Sequence, residues 1–216
     1  MKFTQTLWEE NTATYEQIVA LPFNQELTNG TLDTNKFKFY VNQDAHYLAE
    51  YGRALSIMAA KSPDTKLVLD FIKFAEGAIV TEQLLHGSYF EQFDFELSGS
   101  KSPTCLNYTN FLLATCSLKS LEEGMAALLP CFWIYREVGL HILGNTAKDN
   151  PFQAWIDTYS GEEFADAVEK AIAITDKLAE EASPTLRAKM KEAFTMSCKM
   201  EYLFWESAYR QEAWVI

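Results

Sequence analysis

Helical periodicity runs almost unbroken through this chain and constrains its fold more than any other feature. Apolar residues recur at three- and four-residue intervals, and no run of residues alternates convincingly in the manner of a half-buried strand. Nearly every break carries a proline, a glycine or a short polar capping residue. These signals predict helices over Thr6–Ala20, from Pro22 to Asn29-Gly30, and from Asp33 or Thr34 to Lys61. Ser62-Pro63-Asp64 ends that helix and starts another running to Gln92, with Pro63 in its first turn. Asp94–Lys101 is the clearest loop, followed by a helix over Pro103–Thr115. Ser120 with Glu123 forms a capping box for a helix ending at Gly144-Asn145. Pro151–Tyr159, Glu162–Glu181 and Ser183–Trp214 complete the set. With 216 residues and no linker or repeat, the expected fold class is all-α, a single-domain helical bundle over residues 1–216.

Charge and targeting signals narrow the function classes. A formal net charge of −12 repels phosphate backbones, so nucleic acid is not an expected partner. The first ten residues show no signal-peptide pattern, no apolar run approaches about 18 residues, and no basic amphipathic segment suggests a membrane surface. No membrane association is therefore expected. Cys105, Cys116, Cys131 and Cys198 show no CxxC spacing, and without a secretion signal they read as reduced thiols of a cytoplasmic protein.

Three residues stand out against the apolar stripes that hold them. Asp44 lies between Val41 and Leu48 on the inner stripe of the Phe37–Met58 helix. Glu201 lies between Cys198 and Trp205 on the inner stripe of the last helix. Carboxylates are almost never fully buried unless paired, so each reads alone as a structural ion pair or hydrogen-bonded acid. Cys131 shares a stripe with Ala127, Ile134, Tyr135 and Val138 and follows Pro130. A proline this far inside a helix deletes a hydrogen bond and costs roughly 3 kcal/mol. Most buried thiols are inert, and Cys105, Cys116 and Cys198 are taken as packing residues. Together, an inward thiol and two inward acids resemble a nucleophile with acid/base partners.

The rest of the inventory is less specific. His46, His86 and His141 are too scattered for a Cys-His pair. Glu82–His86 and Glu137–His141 are four apart, whereas bundle di-iron sites use Glu-x-x-His, so both read as incidental surface pairs and no metal site is expected. No glycine-rich phosphate loop is present. Tyr47, Tyr51, Tyr108, Tyr135, Tyr159 and Phe204 would stack on and hydrogen-bond a flat aromatic ligand, besides packing the core.

Three segments give these residues a common setting: Asn42-Gln-Asp44-Ala-His-Tyr47-Leu, Leu129-Pro-Cys131-Phe-Trp-Ile-Tyr135, and Glu201-Tyr-Leu-Phe204-Trp205 followed by Ala208-Tyr209. In order and spacing they resemble the TenA family (thiaminase II, aminopyrimidine aminohydrolase), and the resemblance runs through essentially the whole chain. It implies a haem-oxygenase-like all-α fold and a homotetramer. It implies hydrolysis of 4-amino-5-aminomethyl-2-methylpyrimidine to the hydroxymethyl compound and ammonia, often with cleavage of thiamine, in thiamine salvage. Carried over by position, the nucleophile falls on Cys131, the proton donor on Glu201 and the substrate-binding acid on Asp44. Binding tyrosines fall on Tyr135 and Tyr159, and also on Tyr108 and Tyr47. The partner implied is a small pyrimidine, and no cofactor is required. An oxidase using haem or di-iron on the same fold, and a pyrimidine-binding regulator without turnover, are the competing readings. The histidine count weighs against the first, and the intact trio of Cys131, Glu201 and Asp44 against the second.

Overall fold

Short polar side chains set where the helices start. In the computed structural model, which describes residues 1–93 and 99–215, the side chains of 82, 84–88 and 90–93 lie outside the description. The Glu82–His86 pair and part of the expected 94–101 loop therefore fall outside the described residues. Among those residues the chain forms nine helices and no strand: α1 (Phe3–Val19), α2 (Pro22–Thr28), α3 (Thr34–Lys61), α4 (Thr65–Phe93), α5 (Pro103–Leu118), α6 (Leu121–Leu143), α7 (Gln153–Ser160), α8 (Glu162–Glu181) and α9 (Pro184–Arg210). Asp33 caps α3 by accepting the Asn35 amide at 2.8 Å. Ser102 and Ser183 cap α5 and α9, each accepting the amide three residues on at 3.2 Å. The Ser120–Glu123 capping box is present at α6 with both reciprocal bonds. Each cap satisfies amides that the first helical turn leaves without partners.

Several boundaries depart from the sequence expectation, among them the end of α5, at Leu118 rather than Thr115, and the start of α7, at Gln153 rather than Pro151. α1 begins at Phe3, three residues early, because the Thr4 amide finds Asp176 of α8 at 2.9 Å. Pro63 precedes α4 rather than lying in its first turn; Asp64 caps that helix by accepting the Leu67 amide at 2.9 Å. α9 stops at Arg210, not Trp214, because Gln211 turns into the left-handed region at φ 51°. The tail then folds over the start of α5, where Glu212 accepts the Thr104 amide at 2.8 Å and the Trp214 indole donates to the Lys101 carbonyl at 3.0 Å.

α6 is the centre of the bundle, packed against α5, α7, α8 and α9, while α3 packs against α4, α5 and α9. α6 matches a membrane span in length and apolarity alone; 67% of its apolar window is buried inside the protein, the place of a core helix. Trp155, Trp205, Tyr40, Phe37 and Phe194 are fully buried. Each such ring removes roughly 150–250 Å² from water, a gross gain of about 4–6 kcal/mol at about 25 cal/mol per Å². The helix remains continuous through Pro130. Neighbouring α6 carbonyls are tied outward: Ser197 of α9 donates to Ala127 at 2.6 Å, and Tyr51 of α3 donates to Leu128 at 2.8 Å. These bonds fix α6 to both flanking helices one turn before Cys131.

Candidate active site

Helix periodicity delivers the site residues. On α3, Tyr40, Asp44, Tyr47 and Tyr51 follow one another at helical spacing and share one buried face. α6 contributes Cys131 and, four residues on, Tyr135; α7 contributes Trp155 and Tyr159, again four apart. α9 contributes Glu201 and Trp205, and α5 contributes Tyr108. A cavity of about 590 Å³ opens among these helices, with Asp44, Tyr51, Cys131, Phe132, Tyr135 and Tyr159 on its inner wall. Cys131 keeps partial exposure there, whereas Cys105, Cys116 and Cys198 are buried away from it.

Glu201, Tyr108 and Tyr47 do not border the cavity; they form the layer behind its wall. Glu201 is 1% exposed, and the Tyr108 hydroxyl donates to its Oε1 at 2.7 Å. Burial pushes the Glu201 carboxyl up to about 8; the Tyr108 hydrogen bond partly opposes this and the nearby Asp44 adds to it. Burial likewise raises the Cys131 thiol well above its ordinary range, with Glu201 as the second cause; the Tyr47 and Tyr51 hydroxyls pull it back. Tyr51 has committed its proton to the Leu128 carbonyl. The Tyr47 hydroxyl, buried beside the thiol, has no well-formed hydrogen bond and is the phenol free to serve a thiolate.

Of the seven residues expected at the site, Cys131, Asp44, Tyr135 and Tyr159 reach the cavity wall. Tyr108 and Tyr47, expected to bind substrate, lie against Glu201 and Cys131. Two supporting residues were not anticipated. The Trp155 indole donates to the Tyr40 hydroxyl at 3.1 Å, and Tyr40 lies 3.5 Å from the Tyr135 hydroxyl, so a buried chain backs the cavity wall. The spacing of Tyr40 four residues before Asp44 was the available signal. Gly139 completes the wall: a Cβ there would stand 2.8 Å from the Tyr159 carbonyl carbon, so only glycine lets α7 lie this close to α6. Glu137 takes up Arg136 at 2.7 Å, in line with an incidental role for the Glu137–His141 spacing. Among the described residues no three His, Cys, Asp or Glu side chains gather into a metal-binding set.

Comparison with known proteins bears on the family and the fold. The model of the TENA/THI-4/PQQC family matches residues 8–211. The aminopyrimidine aminohydrolase of Bacillus subtilis is 36% identical across 99% of this chain and 92% of its own length. A solved TenA homologue from Pyrococcus furiosus superposes with a TM-score of 0.90 at 25% identity, covering 95% of this chain and 99% of that one. A domain with a heme oxygenase-like fold from Shewanella denitrificans gives a TM-score of 0.77 at 13% identity over 96% of this chain and 92% of its own, a likeness of fold alone.

Proposed function

The chain belongs to the TENA/THI-4/PQQC family, and from that membership and the geometry above we propose that it is an aminopyrimidine aminohydrolase of thiamine salvage, acting through a covalent cysteine adduct. One observation carries the reading: a buried carboxyl raised to about 8 stands behind the single cavity-facing thiol, with a second buried acid on the same wall. A carboxyl that keeps its proton at neutral pH is a general acid, and an amine leaving group needs one.

The pyrimidine enters with its amidine-like edge toward Asp44 and its ring among Tyr135, Tyr159 and Phe132. The Cys131 thiol gives its proton to a ring nitrogen as its sulfur adds to the ring carbon beside the one bearing the aminomethyl arm, with the Tyr47 hydroxyl donating to the developing thiolate. A carbon–sulfur bond forms and the ring nitrogens take up the electron pair, with a proton held on the ring edge. The carbon–nitrogen bond to the arm then breaks as the Glu201 proton passes, through one bridging water, to the departing amine. Tyr108 holds Oε1 of Glu201, which leaves Oε2 as the oxygen carrying that proton. Water adds to the exocyclic carbon, returning a proton to Glu201. The carbon–sulfur bond breaks as the ring regains aromaticity. While Glu201 is protonated it places no negative charge beside the thiolate, so the two groups favour each other's reactive states.

Thiamine is a second substrate on this reading, its thiazole leaving in place of ammonia. The assembled form is a homotetramer, supported by the outward apolar Leu69 and Ile72 of α4 at 56% and 48% exposure; a monomer by sedimentation would remove that. The test of function is incubation with aminomethylpyrimidine and with thiamine, following products by mass. Hydroxymethylpyrimidine should form from both, and Cys131→Ser should form none while keeping the wild-type melting temperature. Turnover by Cys131→Ser near the wild-type rate would end the covalent route.

A further inference from the structure

The cavity extends beyond the residues that the reaction uses. Its outer half opens between α4 and α8, two helices that barely touch each other. Lys170 of α8 reaches the Asp70 carboxylate of α4 across that gap, so this pair neutralises itself. The remaining charge around the mouth is one-sided. Among the described residues, Asp157 of α7 and Glu162, Glu163 and Asp166 at the start of α8 line it, against the single ammonium of Lys73. The inner wall is also built for an occupant. Tyr159 is only 5% exposed, yet its hydroxyl has no hydrogen-bond partner among the described residues and lies within electrostatic reach of Asp44 and Cys131.

Volume decides what the outer half is for. A space of about 590 Å³ holds the equivalent of about 20 waters at roughly 30 Å³ each. A single pyrimidine with its short arms fills the part beside Cys131 and leaves the mouth empty. On the reading above the pyrimidine sits beside Cys131 and Asp44, so the outer half is the space left for the group that leaves its arm.

We propose that the outer half of the cavity is a leaving-group subsite that favours positively charged leaving groups and turns away phosphate esters. The inference rests on the reading above and adds the charge selection to it. A thiazolium group gains from the four carboxylates gathered around the mouth. A phosphate ester meets the same carboxylates, with Lys170 already committed to Asp70 and Lys73 alone set against the four acids. Because the rim acids are exposed, the effect is screened within about 8 Å at physiological salt and weakens as salt rises.

The experiment compares three probes on the full chain: thiamine, the neutral N-formyl aminomethylpyrimidine, and thiamine monophosphate. Each is measured as a substrate or, where uncleaved, as a competitive inhibitor of aminomethylpyrimidine hydrolysis. The wild type should favour thiamine over its monophosphate, with the preference shrinking in high salt. The triple variant Glu162→Gln, Glu163→Gln, Asp166→Asn should weaken thiamine about three- to tenfold, improve the monophosphate, and leave the neutral probe within about twofold. The neutral probe and the melting temperature control for harm to α8, and Asp157→Asn on α7 should repeat the pattern without touching that helix. Equal changes on all three probes, or none on any, would overturn the subsite while the wild type remains an active hydrolase. Inactivity of the wild type on every pyrimidine would instead take down the functional reading, and the subsite with it.

Discussion

Glu201 shows how one buried group can be tuned by its neighbours. Burial raises its carboxyl to about 8, and the Tyr108 hydroxyl, by donating to the charged form, keeps it from rising further. In the proposed role of general acid it works only while protonated, so kcat/KM for aminomethylpyrimidine should fall as pH rises through about 8. Tyr108→Phe keeps the ring and removes the donor. Its alkaline limb should move to higher pH, and its kcat should fall because the carboxyl loses the bond that fixes its orientation. A pH–rate profile checks both; a limb that stays in place would detach Glu201 from it. The thiols are tuned by the same physics. Burial holds Cys105 and Cys116 at about 12 and Cys198 higher still, which suits packing groups. Cys131 is also raised, and of the four it alone meets the cavity.

At the scale of elements, the site depends on how close α7 can lie to α6. At Gly139 an added methyl would meet the Tyr159 backbone at 2.8–2.9 Å, and backbone cannot swing aside as a side chain can. Gly139→Ala should push the end of α7 outward, carrying Tyr159 with it. The expected result is a KM several-fold higher, a smaller change in kcat, and a loss of stability of about 1–3 kcal/mol by denaturant titration. A normal KM with reduced stability would confine Gly139 to packing. Much of this architecture was legible in the sequence. Caps at Asp33, Ser120 and Ser183 act through local hydrogen bonds, so their spacing announces them. Asp44, Glu201 and Cys131 were visible as violations of apolar stripes, because a stripe specifies which positions face inward. What escaped was long-range: the left-handed turn at Gln211, the Thr4–Asp176 bond that extends α1, and the Trp155–Tyr40–Tyr135 chain. The two contacts depend on partners remote in the chain, and the turn accompanies a tail folded back on α5, so spacing within one helix could not reveal them. Tyr47 and Tyr108 were found as members of the site, but not which layer of it they occupy.

For the whole molecule, the site carries a stability cost that pH reveals. Glu201 titrates near 8 when folded and near 4.3 when the chain is unfolded. Below about pH 4 both states hold the proton and burial of the carboxyl is tolerated. Between about pH 4 and 8 the unfolded chain releases a proton that the folded chain retains, so stability declines through that window by a few kcal/mol. Glu201→Gln removes this contribution and keeps an acceptor for Tyr108. Its melting temperature should match the wild type at pH 4 and exceed it increasingly toward pH 8, in a protein that has lost its acid. A variant no more stable at pH 8 would mean that the folded carboxyl is not held neutral. The cavity mouth between α4 and α8 also has a consequence for kinetic order. In the proposed mechanism the pyrimidine sits deepest, beside Cys131, and whatever is expelled from it lies nearer the opening. Products should therefore depart in sequence, the expelled group first and hydroxymethylpyrimidine last. Hydroxymethylpyrimidine should accordingly inhibit competitively against the substrate, whereas added thiazole alcohol should give a mixed pattern during thiamine cleavage. If the two patterns were exchanged, the pyrimidine would have to leave past an occupied mouth, which this cavity does not permit.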